Sequence, residues 1–343
     1  MPRALVIGGT GPIGRAVARR LLAAGWQVEL TGRDATHLPA ELALAGARFV
    51  LADGHDAATL GDAVDGGVDL LVDCICYTGA DAKALLPLAA DAASTVMISS
   101  KAVYVDNAGR HSNSDEAPRF GGPIGESQPT MAPGDGDYTT REGYGANKVA
   151  AERVLLGSGL PVTVLRPSKV HGAGGTRPRE WMFVKRALDR RPAIFLANRG
   201  AGVDHTTAAA NVAALVELAA AKPAARVLNA ADPDAPSVLE IGRTIARLLG
   251  HEWEEVLLDD AGGGTLGLHP WDRPHPVVLD MTAAAELGYR PVGDYATTVT
   301  EEVDWLVSAA RDGDGELARL EEAFFAPLLD YAAEDAYLAD RAR

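Results

Sequence analysis

The 343-residue sequence predicts an α/β protein: a doubly wound parallel sheet followed by a smaller C-terminal lobe. Three observations carry this. Short apolar runs alternate with amphipathic helical patterns, without a break, through the first hundred or so residues. Gly8, Gly11 and Gly14 stand three apart between the first apolar run and the first helical one. Polar residues gather where the runs end, which is where open α/β sheets carry their sites.

The first strand, Ala4–Ile7, leads through Gly8-Gly9-Thr10-Gly11-Pro12-Ile13-Gly14 into a helical pattern from Arg15 to Ala24. Gly8 permits the tight turn out of the strand, Gly11 a close approach to a pyrophosphate, and Gly14 close packing of helix on sheet. The free N–H groups at the helix start then suit phosphates. A glycine triplet alone is weak evidence; its place directly after an N-terminal strand strengthens the dinucleotide reading. The helix turns Val17, Leu21 and Leu22 inward and ends at Gly25.

The second strand, Gln27–Leu30, runs out at Thr31-Gly32-Arg33-Asp34, where a dinucleotide fold meets the adenosine ribose. An acid at that point would select NAD; Arg33 suits a 2′-phosphate, and Asp34 blurs the distinction. NADP is therefore favoured, with NAD as the alternative. The third strand, Arg48–Leu51, is followed by Asp53, placed to accept from an adenine amino group or merely to cap a helix. Asp56 fills the capping role better for the helix Ala57–Val64. The fourth strand, Asp69–Ile75, is apolar as a two-sided buried strand should be. Cys74 and Cys76 lie two apart in this apolar stretch, side chains on the same face, a spacing that fits neither a redox motif nor zinc, so both read as reduced core thiols. A helix from Ala80 to Ala93 and a fifth strand, Thr95–Ile98, complete the alternation.

That strand ends in Ser99-Ser100-Lys101-Ala102-Val103-Tyr104, beyond the carboxyl edge of the sheet. Asp106–Arg141 lacks periodicity and reads as a surface excursion covering the site. The next helix opens at Tyr144, with Lys148 one turn on and on the same face. An ammonium beside a phenol favours the phenolate, which suits proton transfer near neutrality. The sixth strand, Pro161–Leu165, leads into Arg166-Pro167-Ser168-Lys169-Val170-His171-Gly172.

Four motifs in this order, GGTGPIG, ISSKAVY, YGANK and LRPSKVHG, make the chain resemble the extended short-chain dehydrogenase/reductases, the NAD-dependent epimerase/dehydratase family. Arg33, the VDCICY run and the EGYGANK lead-in resemble an atypical branch of reductase- or epimerase-like proteins, one line of which has been recruited to RNA binding in chloroplasts. The resemblance implies a Rossmann-type dinucleotide domain over 1–166 with returning elements about 207–249. It implies a substrate-binding lobe over 167–206 and 250–310, and it leaves 311–343 as an acidic helical tail, an added helix or a partner contact. It also implies catalytic Ser100, Tyr144 and Lys148. Ser100 would bond the reacting oxygen, Tyr144 would move its proton, and Lys148 would hold the nicotinamide ribose. The cofactor set becomes Gly8, Thr10, Gly11, Pro12, Ile13, Gly14, Arg33, Asp53, Tyr144, Lys148, and the backbone of Val170 and His171. Ser100 and Lys169 would face the substrate.

Departures narrow the chemistry. Lys101 and Ala102 replace the carboxylate pair a dehydratase needs. Lys169 stands where nucleotide-sugar members carry Asn, and Gly202-Val203-Asp204-His205 lacks their diphosphate-binding Arg. The expected activity is hydride transfer between NADP and a carbonyl/alcohol pair of a small molecule. A sugar or nucleotide-sugar epimerase is the alternative, and a catalytically idle nucleotide-sensing or RNA-associated protein is the alternative of another class.

The lobe is expected to contain helices Glu180–Arg190, with Trp181, Val184 and Leu188 inward, and Ala208–Ala221. A returning strand, Val227–Ala230, precedes a Ser237-capped helix, Leu239–Leu249, stopped by Gly250. A strand from His251 to Leu258, a glycine run Ala261–Gly267 and a proline loop His269–Pro276 reaching into the cleft follow. The closing helix is expected at Ala296–Ala310. A net charge of −15 argues against nucleic acid and anionic lipid as partners. The scattered histidines offer no metal spacing, and the N-terminal strand leaves no cleavable leader, so a cytoplasmic protein is expected, with homodimerisation compatible.

Overall fold

The computed structural model describes residues 1–54, 56–64, 66–260, 264–313 and 315–343. The first half contains β1 (Arg3–Ile7), α1 (Pro12–Ala23), β2 (Gln27–Gly32), α2 (Ala40–Leu44), β3 (Arg48–Leu51), α3 (Ala57–Val64), β4 (Val68–Asp73), α4 (Gly79–Ala90), β5 (Ala92–Ile98), α5 (Arg141–Leu156) and β6 (Val162–Pro167). The second half contains β7 (Lys169–His171), α6 (Trp181–Leu188), β8 (Ala193–Leu196), β9 (Thr206–Ala208), α7 (Ala209–Ala221), β10 (Arg226–Ala230), α8 (Val238–Leu248) and β11 (Glu254–Leu257). It closes with α9 (Thr282–Glu286), α10 (Tyr295–Thr298), α11 (Thr300–Asp312), α12 (Gly315–Leu320) and α13 (Tyr331–Arg341).

Seven strands make one parallel sheet in the order β10-β6-β5-β4-β1-β2-β3. Val6 lies opposite Leu30 on one side and Val72 on the other. The strands can be continuous apolar runs because both faces are covered. On one face Val17 and Leu21 of α1 and Val212 and Val216 of α7 pack on Val6, Leu30 and Ile98. On the other, Leu60, Leu85 and Leu155 pack on Leu5, Ile7 and Met97. The strand order reverses at β1, so a crevice opens beyond its carboxyl end, and the glycine loop stands at that crevice. A second core surrounds the fully buried Trp271, with Trp181, Phe183, Ile241, Ile245 and Leu306. Two short parallel pairs, β7 with β9 and β8 with β11, brace that region.

Several expectations are corrected. The helix read as opening at Tyr144 begins at Arg141, because the Thr140 hydroxyl accepts from the Gly143 N–H at 3.0 Å and caps it. The fourth strand stops at Asp73, whose carboxylate takes the Ile75 N–H at 2.8 Å and turns the chain, so Cys74 and Cys76 lie past the sheet. Leu188 is 37% exposed rather than inward, since α6 ends there. The strand read as His251–Leu258 pairs only over Glu254–Leu257. The closing helix is two, α10 and α11, meeting at Val299. Residues 261–263 of the glycine run lie outside the described residues, whereas Ser237 forms a capping box with Glu240 as expected.

Two aperiodic stretches are tied down. The excursion hangs on the buried Asp106, whose carboxylate accepts the N–H groups of Ala108, Arg110 and Arg119 and the Arg110 guanidinium. Burial opposes the charge, but these donors outweigh it and hold Asp106 down at about 2. The tail folds back: buried Glu334 takes the Arg186 guanidinium at 2.5 Å, and Glu321 takes the Trp181 indole N–H at 3.1 Å.

Candidate active site

The glycine loop is built for close approach. Gly8 has a φ of +73°, a conformation that favours glycine. A Cβ on Gly14 would fall 2.5 Å from the Gly9 Cα, so only glycine lets α1 sit against the loop. A Cβ on Gly11 would meet nothing nearer than the Gly8 carbonyl at 3.7 Å; protein packing does not explain that glycine, and the room beside it fits a pyrophosphate. α1 starts with Pro12 at its first position, and Gly11 gives no side-chain cap, which leaves the first N–H groups for a ligand. Thr10 turns its carbonyl to Arg15 Nε at 2.6 Å, and Arg15 Nη2 reaches the His37 carbonyl at 3.1 Å, bracing the loop against the chain after β2.

At the end of β2, Asp34 is occupied: its Oδ1 accepts the Thr36 N–H at 2.8 Å and the Thr36 hydroxyl at 2.7 Å. Arg33 is exposed and, among the described residues, its guanidinium has no partner. Asp53 is likewise exposed beyond β3.

From this loop a cleft of about 490 Å³ runs across the carboxyl ends of β5 and β6, lined among others by Ile13, Ser100, Tyr144, Lys148, Lys169 and Val170. Ser100 caps a short turn, accepting from the Ala102 N–H at 3.1 Å. Lys148 is buried and donates to the carbonyls of Cys76 at 2.8 Å and Ile98 at 3.0 Å. Its ammonium lies 4.4 Å from the Tyr77 ring centroid and 5.9 Å from that of Tyr144. Its cation–π partner is thus Tyr77, which the sequence reading did not single out. Burial first, then the neighbouring Tyr144, pushes the Tyr77 phenol up to about 12. Tyr77 also stacks on Tyr138 of the excursion, centroids 5.1 Å apart. Burial, and then Asp73, pushes the Cys74 thiol up, so it stays protonated at the cleft wall.

Beneath the site, Ser99 donates to Glu152 at 2.5 Å, and Glu152 receives the Arg166 guanidinium through both oxygens, at 3.0 and 2.5 Å. Arg166 lies over the Tyr104 ring, whose hydroxyl reaches Asn229 Oδ1 at 2.7 Å. This buried chain links the ends of β5, β6 and β10. The His171 side chain points inward, with Nε2 on Asp232 Oδ2 at 3.0 Å. Burial disfavours its charge, but the bond to Asp232 prevails and holds its pKa above the ordinary value. The neighbouring Gly172 N–H donates to the buried Glu302 at 2.7 Å, anchoring the segment after Val170.

The far end of the cleft is cationic. Asp204, fully buried, receives Lys101 on Oδ1 and, on Oδ2, Lys169 at 3.3 Å and Arg273 at 2.9 Å. Arg177 and Arg179 line the same end. Arg273 comes from the proline loop read as reaching the cleft; Lys101, Asp204, Arg177 and Arg179 had not been read as a group. Burial, then Arg179 and Arg273, pushes the Lys169 ammonium well below its ordinary value.

A family model of NAD(P)H-binding proteins matches residues 8–180. Among solved structures, the fold is similar to a putative epimerase from Burkholderia cenocepacia J2315, at 22% identity and a TM-score of 0.69 over 90% of this chain and 99% of that one. It is also similar to the dTDP-glucose 4,6-dehydratase of Bacillus anthracis in complex with NAD, at 16% identity and a TM-score of 0.67 over 91% and 98%. The UDP-glucose 4-epimerase of Thermus thermophilus, complexed with NAD, gives 18% and 0.65 over 90% and 99%. No curated protein matches the chain. No helix among the described residues is long and apolar enough to cross a membrane.

Proposed function

The chain belongs to the NAD(P)H-binding family, and from that premise we propose that it is an oxidoreductase acting on a carbonyl/alcohol pair of a small molecule, with NADP favoured over NAD. The observation that carries the reading is the convergence of Ser100, Tyr144 and Lys148 on one cleft that begins at the glycine loop. The nicotinamide, when bound, supplies or takes the hydride. The glycine loop and the start of α1 hold the pyrophosphate, and Arg33 holds the 2′-phosphate. Lys148, fixed by two carbonyls, offers its remaining donor to the nicotinamide ribose. Ser100 orients the substrate oxygen, and the Tyr144 phenol gives it a proton on reduction or takes one on oxidation. The dinucleotide and substrate segments 1–166, 167–206 and 250–310 divide the work accordingly.

Titration of the purified protein with NADPH and NADH, followed by oxidation of the bound cofactor across a carbonyl panel, tests the reading; binding of neither overturns it. Epimerisation is the second reading, favoured by the fold likeness to a UDP-glucose 4-epimerase over 90% of the chain. Cofactor absorbance that survives dialysis distinguishes it, because an epimerase oxidises and re-reduces one carbon on a retained cofactor.

A further inference from the structure

The cleft is charged against the sign of the whole molecule. Across the chain acids outnumber Lys and Arg by 47 to 32. The cleft lining reverses this: Lys101, Lys148, Lys169, Arg177, Arg179 and Arg273 face it, with Asp204 as the one lining acid among the described residues. Lys148 is committed to the cofactor side. Asp204 cannot neutralise the rest, since one carboxylate is shared by Lys101, Lys169 and Arg273. Glu180, next to Arg179, is buried and turned to the Tyr295 hydroxyl at 3.3 Å. Arg179 donates to the Val170 carbonyl at 3.3 Å, and the buried Glu302 carboxyl is an electrostatic neighbour. Lys101 is one residue past Ser100, and Lys169 one before Val170, so the charge sits beside the reacting position and away from the glycine loop.

Resting on the oxidoreductase reading, we propose that the substrate carries a doubly charged oxyanionic group, a phosphate ester or paired carboxylates, held by Lys101, Lys169, Arg179 and Arg273. Asp204 acts as a positioning residue: it gathers three cations from separate segments at one point, and apart from Arg273 Nη1, which donates to the Ser112 carbonyl at 3.1 Å, it leaves donors of theirs for the anion. Four basic side chains around one carboxylate leave an excess of positive charge, which a dianion offsets.

The test is calorimetric titration of the NADP-saturated protein with inorganic phosphate and, separately, with malonate, at fixed ionic strength. One of the two is expected to bind one-to-one. Arg273→Gln and Lys169→Gln are each expected to weaken it by about 10- to 150-fold, the worth of a charge-assisted hydrogen bond, with NADP affinity unchanged. Stronger binding of phosphate assigns the ester, and stronger binding of malonate the paired carboxylates. A protein that binds NADP but neither anion, or binds them equally well in both variants, overturns the proposal and leaves the oxidoreductase reading standing. Binding of neither NADP nor NAD overturns both.

Discussion

The two ends of the cleft hold their ligands by different means. At the cofactor end the working surface is backbone: glycines whose missing side chains leave room, and the uncapped N–H groups of α1. At the substrate end it is side-chain charge: Lys101, Lys169, Arg179 and Arg273 around one carboxylate. A backbone cradle depends on shape and is indifferent to pH. A cluster of half-compensated cations depends on proton occupancy, ionic strength and the ligand's own charge. The division separates affinity for a shared cofactor from choice of substrate, and each end can be broken without the other.

The largest effect is expected where the two ends meet. Tyr144→Phe removes only the phenolic oxygen, and a general acid–base group contributes about 10²–10⁴-fold to rate. Turnover is expected to fall by that factor with NADPH and anion affinities both kept. Near wild-type turnover would remove Tyr144 from the chemistry.

Asp204→Asn attacks the substrate end alone. Three cations lose their common counter-charge in a buried setting, and breaking such a pair costs about 3–5 kcal/mol. Denaturant unfolding is expected to show that loss. Phosphate or malonate, whichever the wild type takes, is expected to bind the variant more weakly, since Lys101, Lys169 and Arg273 lose the carboxylate that gathers them. Loss of stability with anion affinity kept would mean that Asp204 serves the fold rather than the arrangement of the site.

The same contrast governs what can be read from the chain. The cofactor end is local: β1, the glycine loop and α1 are consecutive, and Gly14 meets a steric demand set by Gly9 within the same loop. Tyr144 and Lys148 are one helical turn apart, so their shared cleft was legible too. The Lys148 hydrogen bonds were not, because Cys76 and Ile98 lie 72 and 50 residues away. Asp204 and Arg273, 69 residues apart, meet only because the proline loop folds over the cleft. β8, four residues long, offers too little periodicity to be read, β11 is legible but shorter than the run that shows it, and Leu188 is misplaced because apolar spacing does not show where a helix runs out of partners.

Arg33→Ala tests the cofactor end at the one point where it uses charge. Asp34 is engaged by Thr36, which leaves Arg33 to face a 2′-phosphate without a competing carboxylate. One charge-assisted bond is worth about 1.5–3 kcal/mol, or about 10- to 150-fold. The wild type is expected to prefer NADPH to NADH by about tenfold or more, and the variant to lose that preference while keeping its NADH affinity. Equal loss of both cofactors would mean that Arg33 stacks on the adenine.

The smallest expected effect is a difference in pH dependence between the ends. Lys169 has its pKa lowered, by burial first and then by Arg179 and Arg273; Lys101 adds charge of the same sign, and Asp204 and Glu180 oppose it. A bound dianion stabilises the ammonium and raises its pKa, so the anion binds the protonated form. Affinity is then full below the lowered pKa of the free protein and falls as pH rises through it. Once Lys169 has deprotonated, each further pH unit costs at most about tenfold, until the raised pKa of the complex is passed. Phosphate has a second ionisation of its own near neutrality, so malonate, fully ionised above about pH 7, is the cleaner probe if it binds. NADPH affinity over the same range is expected to be flatter, because backbone N–H groups hold its pyrophosphate. Calorimetry in two buffers of different ionisation enthalpy reads the linkage directly: anion binding takes up protons near the lowered pKa, and cofactor binding takes up fewer. Burial lowers Lys101 in the same direction, so in Lys169→Gln the uptake is expected to fall and not to vanish, while Arg33→Ala retains it whole. Uptake unchanged without Lys169 would move the titrating group to Lys101 and leave the rest of the contrast intact.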